Sequence, residues 1–487
     1  MSKLPLNTKV VWRPNKGVQE IFLSCPIQEI LLDGNRGWGK TELIIMKFLK
    51  YVGTNKKPKY GAYWKGVILR TERKPLEECI TKGHLLIKKI FPTAVWKGGE
   101  GNQKWVFENG EELLFRFGKD KRDYEDKFHG NQFPYIAFDE LTSWATDEFY
   151  MSMITCNRAV NPEHPEMPKF FISTTNPFGL GHRWIKKRFY DADPIGGRVI
   201  IDIVKDAEGN DIELKRTRLQ GTMLENLPLL ASNPEYYAKI KSEKLKSKRM
   251  AWLYGDWEIE AGGYFEESWD RSANVIEPFE IPKSWYIDRS FDYGRDKPFA
   301  VCWYAESDGT PYYVNQKPKR TVKGDTFLIY ELYGCVKGEP NKGLKWSLRQ
   351  VSEAVLKIDA KISARFNMDV NDGVADSGIN QVTDSVSIRD KMAECGLTWK
   401  KTVNKDRVTG WAIMADMMFE ARNPLRENPA FFVWSNNVHF LETVPMLMCD
   451  EVAMDDIDTK QEDHIADAVR YRLATKRYGY STGNRLQ

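Results

Sequence analysis

The feature of the sequence that most limits its possible folds is a glycine-rich octet near the N-terminus. Residues 34–41 have the sequence Gly-Asn-Arg-Gly-Trp-Gly-Lys-Thr and match the pattern GxxxxGK[ST] throughout. A short apolar strand is predicted before it, at residues 30–32, and a helix after it, at residues 43–52. A strand, a glycine-rich loop and a helix in this order predict a phosphate-binding loop on an α/β sheet.

The residue types of the octet suit a nucleoside triphosphate. Gly34, Gly37 and Gly39 allow main-chain N–H groups to turn inwards around phosphates, and the N-terminus of the following helix adds positive potential. Lys40 is expected to neutralise the β- and γ-phosphates, and Thr41 to hold Mg²⁺ through its hydroxyl. The sequence therefore predicts ATP and Mg²⁺ as cofactors of this part of the chain.

Two later strands end in polar residues. The apolar run at residues 135–138 is followed by Asp139 and Glu140, of which Asp139 is expected to order the water shell of Mg²⁺ and Glu140 to polarise the attacking water. The run at residues 170–172 is followed by Ser-Thr-Thr-Asn-Pro, whose hydroxyl and amide groups could contact a γ-phosphate or a nearby water. A strand that simply enters an Asn-Pro turn is the alternative interpretation of this last pattern.

Several basic residues have both a functional and an ordinary interpretation. Arg36, inside the octet, could reach the charge that develops on the γ-phosphate during hydrolysis, or could be a solvated side chain of a polar loop. The lysine-rich helix predicted at residues 236–250 is interpreted as a solvated face. Four further basic residues could contact DNA phosphates or simply flank a helix: Lys400, Lys401, Lys405 and Arg407.

The length and composition of the chain favour a multidomain cytoplasmic protein over a membrane or secreted protein. A chain of 487 residues exceeds one compact core, so two or three domains are expected. No uninterrupted apolar stretch approaches the roughly 18 residues of a membrane span, and the N-terminus lacks the apolar segment of a secretion signal, so a cytoplasmic protein without membrane contact is expected. The seven scattered cysteines form no CxxC pair, and a net charge of +4 is too small to identify a nucleic-acid partner.

Changes of pattern along the chain predict its domains. Residues 1–257 are expected to form an α/β ATPase domain with a mainly parallel sheet and a C-terminal lid subdomain. Glycine and proline residues predict a linker at residues 258–283. Strands followed by helices predict a second, mixed α/β domain at residues 284–475, and residues 476–487 are expected to be a disordered tail.

The second half carries acidic residues at three separated places. Asp292 ends a predicted strand, Asp376 precedes Ser-Gly, and residues 463–467 contain Asp463 and Asp467 one helical turn apart. Cleavage of a phosphodiester by two metal ions needs carboxylates that converge from separate elements. Asp463 and Asp467 both remain candidates for the third ligand. Asp463 could instead be a helix N-cap. Each of the acidic residues, taken alone, could merely cap a helix or turn or be solvated.

The order of these motifs resembles the large terminase subunit of tailed double-stranded DNA bacteriophages. The octet, the Asp-Glu strand, the Ser-Thr-Thr-Asn-Pro strand and Leu-Tyr-Gly-Asp-Trp at residues 253–257 resemble its P-loop ATPase, and the three acidic places resemble its RNase H-like nuclease in the same order. The resemblance extends from about residue 12 to residue 473. It implies an ATP-driven motor that moves double-stranded DNA into a procapsid, and an endonuclease that cuts concatemeric DNA at the start and end of packaging.

The resemblance also implies roles for residues of the ATPase part. Ser173, Thr174 and Thr175 would couple hydrolysis to DNA movement, with Thr174 and Thr175 at the nucleotide. Gln19 would contact the adenine ring, although glutamines without any role are common. Similar terminases carry a basic residue where Arg36 lies.

For the nuclease part, the resemblance points to Asp467 as the third metal ligand, with His464 as a further ligand or a hydrogen-bond partner. It implies two ions, Mg²⁺ or Mn²⁺. The implied partners are double-stranded DNA, the portal protein of the procapsid, the small terminase subunit and further copies of the chain in a ring on the portal, all in the host cytoplasm.

Two other functions are compatible with some of the motifs. A helicase-nuclease of DNA repair or recombination would need a second motor core, and no second phosphate-loop pattern follows residue 257. A nucleotide-dependent binding switch would bind ATP without steady turnover, and Glu140 disfavours it because this residue is placed to polarise water.

Overall fold

The chain divides into two units, Met1–Ile259 and Glu260–Gln487. The computed structural model describes residues 10–54, 56–99, 102–259, 263–336, 341–383, 386–400, 406–450, 453 and 455–480. Across these ranges, no helix combines the length and the apolar character that crossing a bilayer requires.

The first unit is an α/β structure. Its helices are α1 (Val18–Ser24), α2 (Lys40–Leu49), α3 (Arg73–Ile90), α4 (Lys121–Lys127), α5 (Glu148–Ile154), α6 (His182–Ile185), α7 (Leu227–Ser232), α8 (Tyr236–Lys241) and α9 (Lys246–Tyr254). Its strands are β1 (Glu29–Gly34), β2 (Lys65–Arg70), β3 (Val95–Lys97), β4 (Lys104–Val106), β5 (Glu112–Phe117), β6 (Tyr135–Phe138), β7 (Phe170–Thr174), β8 (Val199–Lys205) and β9 (Asp211–Gly221).

The strands form one sheet in the order β3-β4-β5-β2-β6-β7-β1-β9-β8. The six strands from β5 to β9 in this order are mutually parallel, and antiparallel pairs close both edges. The interior strands are apolar and almost entirely buried, as parallel strands covered on both faces must be. Because β7 lies between β1 and β6, the carboxyl ends of the three motif-bearing strands meet at one edge of the sheet. The predicted α/β sheet and the strands predicted at residues 30–32, 135–138 and 170–172 are confirmed.

A buried ion pair fixes the start of the phosphate loop. Asp33, the residue before Gly34, accepts hydrogen bonds from Arg218 Nε at 3.0 Å and Nη2 at 2.8 Å, and from Trp257 Nε1 at 2.6 Å. Both charged side chains are fully buried. These contacts of Asp33 therefore connect β1 to β9 and to Trp257, near the end of the first unit.

The second unit also combines helices and strands. Its helices are α10 (Arg271–Asn274), α11 (Leu348–Phe366), α12 (Ile388–Glu394), α13 (Arg407–Glu420), α14 (Val438–Thr443) and α15 (His464–Tyr480). Its strands are β10 (Val275–Ile276), β11 (Tyr286–Asp292), β12 (Ala300–Glu306), β13 (Tyr312–Val314), β14 (Lys317–Lys319), β15 (Thr326–Tyr333), β16 (Val370–Ala375), β17 (Val382–Thr383), β18 (Val386–Ser387) and β19 (Phe431–Trp434).

The main sheet of this unit has the order β10-β19-β15-β12-β11-β16. Strands β11, β12 and β15 are successively antiparallel, and β16 is parallel to β11. Three antiparallel strands with a fourth beside the first form the core of an RNase H-like fold. One face packs against α13 and α15, and the other against α11 and α12. The predicted fold class is confirmed for this unit as well.

The structure differs from the predicted linker at residues 258–283. Phe265 and Trp269 are buried in the core beneath α13 and α15, while Phe279 and Ile281 belong to the core on the opposite face of the sheet. The described part of this segment, from residue 263, belongs to the second unit and packs into its cores through apolar side chains. The predicted tail also begins too early, because α15 continues to Tyr480, and residues 481–487 lie outside the described residues.

We expect Arg218→Met to lower the free energy of unfolding of the first unit by about 3–5 kcal/mol, because it leaves the Asp33 carboxylate buried without its partner. Urea titration of the full chain, followed by hydrogen exchange of peptides from β1 and β9, measures this loss. The control is Lys205→Met, which breaks an exposed ion pair with Asp211 and should cost less than about 1 kcal/mol. Equal losses for the two variants would contradict the anchoring role of the buried pair.

Candidate active sites

The octet forms a loop whose glycines have backbone conformations that other residues rarely adopt. Gly34, Gly37 and Gly39 have φ values of +106°, +87° and +91°, and α2 begins directly after them. A side chain on Gly34 would collide with the carbonyl oxygen of Gly221, 2.2 Å from the position of its Cβ. The loop is therefore held open at the carboxyl end of β1 with its N–H groups near the start of a helix.

Lys40 lies at the centre of this loop. Its Nζ donates to the Asn35 carbonyl at 2.7 Å and to Asn176 Oδ1 at 2.8 Å. Burial lowers the pKa of Lys40 to about 7, although Asp33 and Asp139 oppose the shift. A phosphate beside this ammonium would supply the negative charge that favours its protonated form. The position suits the predicted phosphate contact.

The side chains expected to hold Mg²⁺ lie next to each other. Thr41 Oγ1 lies 3.1 Å from Asp139 Oδ1, and Thr174 donates to the same oxygen at 2.6 Å. Asp139 is fully buried. Burial alone would raise the pKa of its carboxyl, but Arg70 and the hydrogen bonds from Thr174 and Cys79 hold the pKa below its usual value. A charged carboxylate beside a hydroxyl provides the oxygen ligands that Mg²⁺ prefers.

Glu140 follows in a strained conformation. Its φ of +57° and ψ of +61° are uncommon for a residue with a side chain, and strain of this kind is concentrated at functional sites. The Glu140 N–H donates to Thr174 Oγ1 at 3.1 Å, and its carboxylate pairs with Arg70. The side chain is 42% exposed. Thr174 thus contacts both acidic residues.

The remaining residues of the third motif lie nearby but make other contacts. Thr175 Oγ1 accepts from the Thr142 N–H at 3.2 Å, and its own N–H donates to the carbonyl of Leu32. Ser173 is buried opposite Phe138 in the sheet. The motif therefore connects the phosphate-loop strand to the turn after Glu140, while a direct contact of Thr174 or Thr175 with nucleotide stays a prediction.

Gln19 and Arg36 contact the protein itself. Gln19 Nε2 donates to the Trp38 carbonyl at 2.6 Å, and its Oε1 accepts from the Asn15 N–H at 2.8 Å. The guanidinium of Arg36 stacks on Trp252 of α9 at 3.7 Å from the ring centre. Gln19 therefore lies against the phosphate loop, as a nucleotide-contacting residue should, whereas Arg36 is directed towards α9. The predicted roles of both remain predictions.

Arg70 was not assigned a role from the sequence. It is the last residue of β2 and binds Asp139 and Glu140. Asn176, whose amide was expected to contact a γ-phosphate or a nearby water, binds Lys40. The only sequence signal for Arg70 is its position at the end of an apolar strand. This signal does not predict which carboxylates of the neighbouring strand Arg70 contacts.

In the second unit, the three predicted acidic residues lie in one region. Asp292 ends β11, and Asp376 follows the adjacent parallel strand β16, its N–H donating to the Phe291 carbonyl at 2.8 Å. Asp467 lies in α15, which packs against both strands. Burial and the charges of Asp467 and Asp376 raise the pKa of Asp292 to about 7, while His464 opposes the shift. The strand ends and the helix therefore bring the three acidic residues to one side of the second unit.

His464 bridges two side chains. Its Nδ1 lies 3.2 Å from Asp292 Oδ2, and its Nε2 lies 3.0 Å from Asn341 Oδ1. The hydroxyl of Tyr471 donates to Asp292 Oδ1 at 3.4 Å. Both ring nitrogens of His464 have protein partners, which favours the hydrogen-bond alternative over the metal-ligand alternative for this residue.

Cations balance the acids of α15. Asp467 Oδ1 accepts from Arg470 Nε at 2.9 Å and Nη2 at 2.7 Å. Arg407 Nη2 lies 3.4 Å from Asp463 Oδ2, and its Nη1 lies 4.0 Å from Asp467 Oδ2. Arg407 is thus directed towards acidic residues, and Lys400 donates to the Tyr286 hydroxyl at 3.1 Å. The other two basic residues of this group, Lys401 and Lys405, lie outside the described residues.

Comparison with known families agrees with this arrangement. Residues 31–271 match the family model described as "Terminase large subunit, T4likevirus-type, N-terminal". The chain carries the N-terminal domain of a large terminase subunit. No curated protein sequence is significantly similar to it.

Weak structural likenesses to solved large terminases extend over both units. The large terminase of a thermophilic bacteriophage, solved in complex with ADP, is 17% identical with a TM-score of 0.38, and the match covers 95% of this chain and 99% of that one. The nuclease domain of the P22 large terminase is 16% identical with a TM-score of 0.30, and the match covers 45% and 93%. The large terminase nuclease of thermophilic phage G20c with bound cobalt is 9% identical with a TM-score of 0.27, and the match covers 44% and 96%.

The acidic region of the terminase chain has the donor chemistry of a divalent-cation site. Carboxylate oxygens are the ligands that Mg²⁺ and Mn²⁺ prefer, and a cation between Asp292, Asp376 and Asp467 would offset their repulsion. Within the described part of the chain, no three Asp, Glu, His or Cys side chains are already gathered as a metal site. The metal-ligand roles therefore remain predictions.

Variants of α15 distinguish the two terminal acids of the terminase. We expect Asp467→Ala to abolish metal-dependent DNA cleavage, because α15 places Asp467 against the strands that carry the other two proposed ligands, and His464→Ala to reduce it. Asp463 directly precedes α15, so Asp463→Ala should mainly lower the free energy of unfolding by about 1 kcal/mol, as for a lost helix cap. Plasmid cleavage and urea unfolding of the three variants measure both effects. An inactive Asp463→Ala beside an active Asp467→Ala would reverse the assignment.

Proposed function

We propose that this terminase is an ATP-driven motor that moves double-stranded viral DNA into a procapsid and cuts concatemeric DNA when packaging starts and ends. The observation that carries the proposal is the meeting of the phosphate loop, the Asp-Glu pair and the Ser-Thr-Thr-Asn motif at one edge of a parallel sheet. A second unit follows in the same chain, in which Asp292 and Asp376 lie at the ends of adjacent parallel strands and α15, which carries Asp467, packs against both.

Different residues of the first unit have different roles in ATP hydrolysis. Lys40 and the loop N–H groups bind the phosphates, while Thr41 and Asp139 hold Mg²⁺, which neutralises charge on the β- and γ-phosphates. Glu140 orients and polarises the attacking water. Thr174 contacts both Asp139 and Glu140, so the third motif is placed to respond to changes at either acid. Gln19 contacts adenine, and Arg36 reaches the γ-phosphate after leaving Trp252.

The second unit supplies the nuclease. Asp292, Asp376 and Asp467 hold two Mg²⁺ or Mn²⁺ ions, which supply charge neutralisation at the scissile phosphate. His464 and Tyr471 orient Asp292 through their hydrogen bonds.

Membership in the large terminase family supports the partners that we propose. They are double-stranded DNA, the portal protein, the small terminase subunit and further copies of the chain in a ring on the portal, in the host cytoplasm. Mixing the purified chain with empty procapsids, ATP and linear DNA, and then adding nuclease, tests the motor. DNA protected only when ATP is present supports it, and no protected DNA in the presence of steady ATP turnover contradicts it.

We expect variants of the two sites to separate the two activities. Lys40→Ala and Glu140→Gln should abolish ATP turnover and packaging while DNA cleavage continues, because one removes the phosphate charge and the other the water-polarising carboxylate. Asp292→Asn and Asp376→Asn should abolish cleavage in Mg²⁺ or Mn²⁺ while ATP turnover continues.

Phosphate release and plasmid nicking, measured on the same preparations, give both activities. Each pair of variants is the control for the other, since all four proteins must be folded to keep one activity. ATP turnover at the wild-type rate by Glu140→Gln, or full cleavage by Asp292→Asn, would show that the corresponding residue is misassigned.

A further inference from the structure

We infer that Arg472 is a positioning residue of the nuclease, which fixes α15 along β11 and thereby holds Asp467 near the strand end that carries Asp292. The inference rests on the proposed nuclease function and adds to it a residue that is not itself a metal ligand. Arg472 follows Asp467 by five residues in α15 and binds the sheet away from the strand ends that carry the acidic residues.

Arg472 is a buried cation that binds three strands of the main sheet. Its Nε donates to Asp288 Oδ1 at 3.0 Å, its Nη2 to Glu306 Oε2 at 2.7 Å and its Nη1 to Thr326 Oγ1 at 3.0 Å. The arginine side chain is 2% exposed, and the two carboxylate side chains are 4% and 8% exposed. These acceptors lie on β11, β12 and β15, which are neighbours in the sheet. A displaced guanidinium would leave a buried carboxylate without its partner, which is strongly unfavourable.

Helix α15 is attached to β11 at two points. At the start of the helix, His464 Nδ1 lies 3.2 Å from Asp292 Oδ2, and eight residues later Arg472 binds Asp288. The two helix positions are about 12 Å apart at a rise of roughly 1.5 Å per residue. The two strand positions are about 13 Å apart at roughly 3.3 Å per residue. The helix therefore runs along β11 in the opposite direction, and the spacing of the two contacts matches on both elements.

Asp467 lies between these two points, one turn after His464. A helix held at one point can still rotate about that contact or slide along the sheet, whereas a second, distant contact fixes its rotation and its position together. Carboxylates that share metal ions must converge from their separate elements with little displacement. Loss of the Arg472 contacts would therefore move Asp467 relative to the acids of β11 and β16 without removing any proposed ligand.

The face of β11 beneath α15 carries polar side chains within an otherwise apolar core. Asp288, Ser290 and Asp292 share this face because strand side chains alternate. The Ser290 hydroxyl is paired with the Tyr304 hydroxyl at 2.8 Å, and Arg472 balances the charge of Asp288. The same ion pair therefore stabilises a buried carboxylate and aligns the helix with the strand.

The first variant is Arg472→Lys, because a single ammonium cannot hold three acceptors on three strands. We expect the Mg²⁺ concentration for half-maximal DNA cleavage to rise by about tenfold, the lower end of the range for residues that orient metal ligands. Titration of the DNA-free protein with Mn²⁺, followed by electron paramagnetic resonance, should show the same loss of affinity. ATP turnover should stay at the wild-type rate, since the first unit is unchanged.

A second variant separates the position of α15 from the stability of the second unit. Arg472→Met combined with Asp288→Leu and Glu306→Met replaces the buried charges with apolar side chains, a kind of change that is often neutral or stabilising. We expect this variant to melt no lower than Arg472→Lys and still to bind Mn²⁺ about tenfold more weakly than the wild type, because apolar contacts lack the directional bonds that align the helix.

Two controls complete the experiment. Arg426→Lys changes another buried arginine of the second unit, which binds Asp325 and stacks on Phe432 in the core on the opposite face of the sheet. It should lower the melting temperature of the full-length chain about as much as Arg472→Lys but leave the Mn²⁺ affinity unchanged. Asp292→Asn identifies the part of the Mn²⁺ binding that belongs to this site.

The outcomes separate the inference from the proposed function. Wild-type Mn²⁺ affinity and Mg²⁺ dependence in either folded Arg472 variant overturn the positioning role and leave the nuclease intact. An equal loss of affinity in Arg426→Lys overturns it as well, since the effect would then follow stability alone. If the wild type binds Mn²⁺ through Asp292 but cuts no DNA, the nuclease proposal fails while weaker binding by the Arg472 variants still supports the positioning role. No Asp292-dependent Mn²⁺ binding by the wild type contradicts both.

Discussion

The buried carboxylate of Asp139 is the interaction on which the nucleotide site depends. One of its oxygens accepts from Thr41 and Thr174, and the other accepts from Arg70 and Cys79. Four separate elements therefore meet at a single charged group that has no contact with solvent. A buried charge is tolerated only when its hydrogen-bonding capacity is filled, so the contacts that stabilise Asp139 also fix the geometry of the site.

The second unit also contains buried acidic side chains, but their charge is balanced by different partners. Its acidic residues at the ends of β11 and β16 lie beside a helix that carries a third acid. His464 contacts Asp292, and Arg470 and Arg407 pair with Asp467. The protein thus balances the charge of this region with cationic side chains that a divalent cation would partly replace. In the first unit the cationic partner of Asp139 is the buried Arg70, which lies on a neighbouring strand. In the second unit, His464 and Arg470 come from α15, the helix that carries Asp467.

The departures from the sequence predictions have a common physical origin. The segment before residue 284 has the glycines and prolines of a linker, but its aromatic side chains Phe265, Trp269 and Phe279 find apolar surface on the second unit and are buried there. For Arg36 the sequence left open a γ-phosphate contact or a solvated side chain. Its guanidinium stacks on Trp252, which lies much later in the chain, since a planar guanidinium and an indole ring attract each other. Both contacts involve residues far away in the chain, which local sequence patterns do not predict.

The sequence by itself determined the phosphate loop, the two strands that end in polar residues, the α/β class of both units and the short set of acids from which a nuclease could be built. These follow from local rules, because glycine spacing, apolar runs and strand ends are properties of neighbouring residues. Only the tertiary structure decided that β7 lies between β1 and β6, that Arg70 binds both Asp139 and Glu140, and that His464 binds Asp292. Such contacts join residues far apart in the chain, and they are set by strand order and helix packing, which one sequence does not specify.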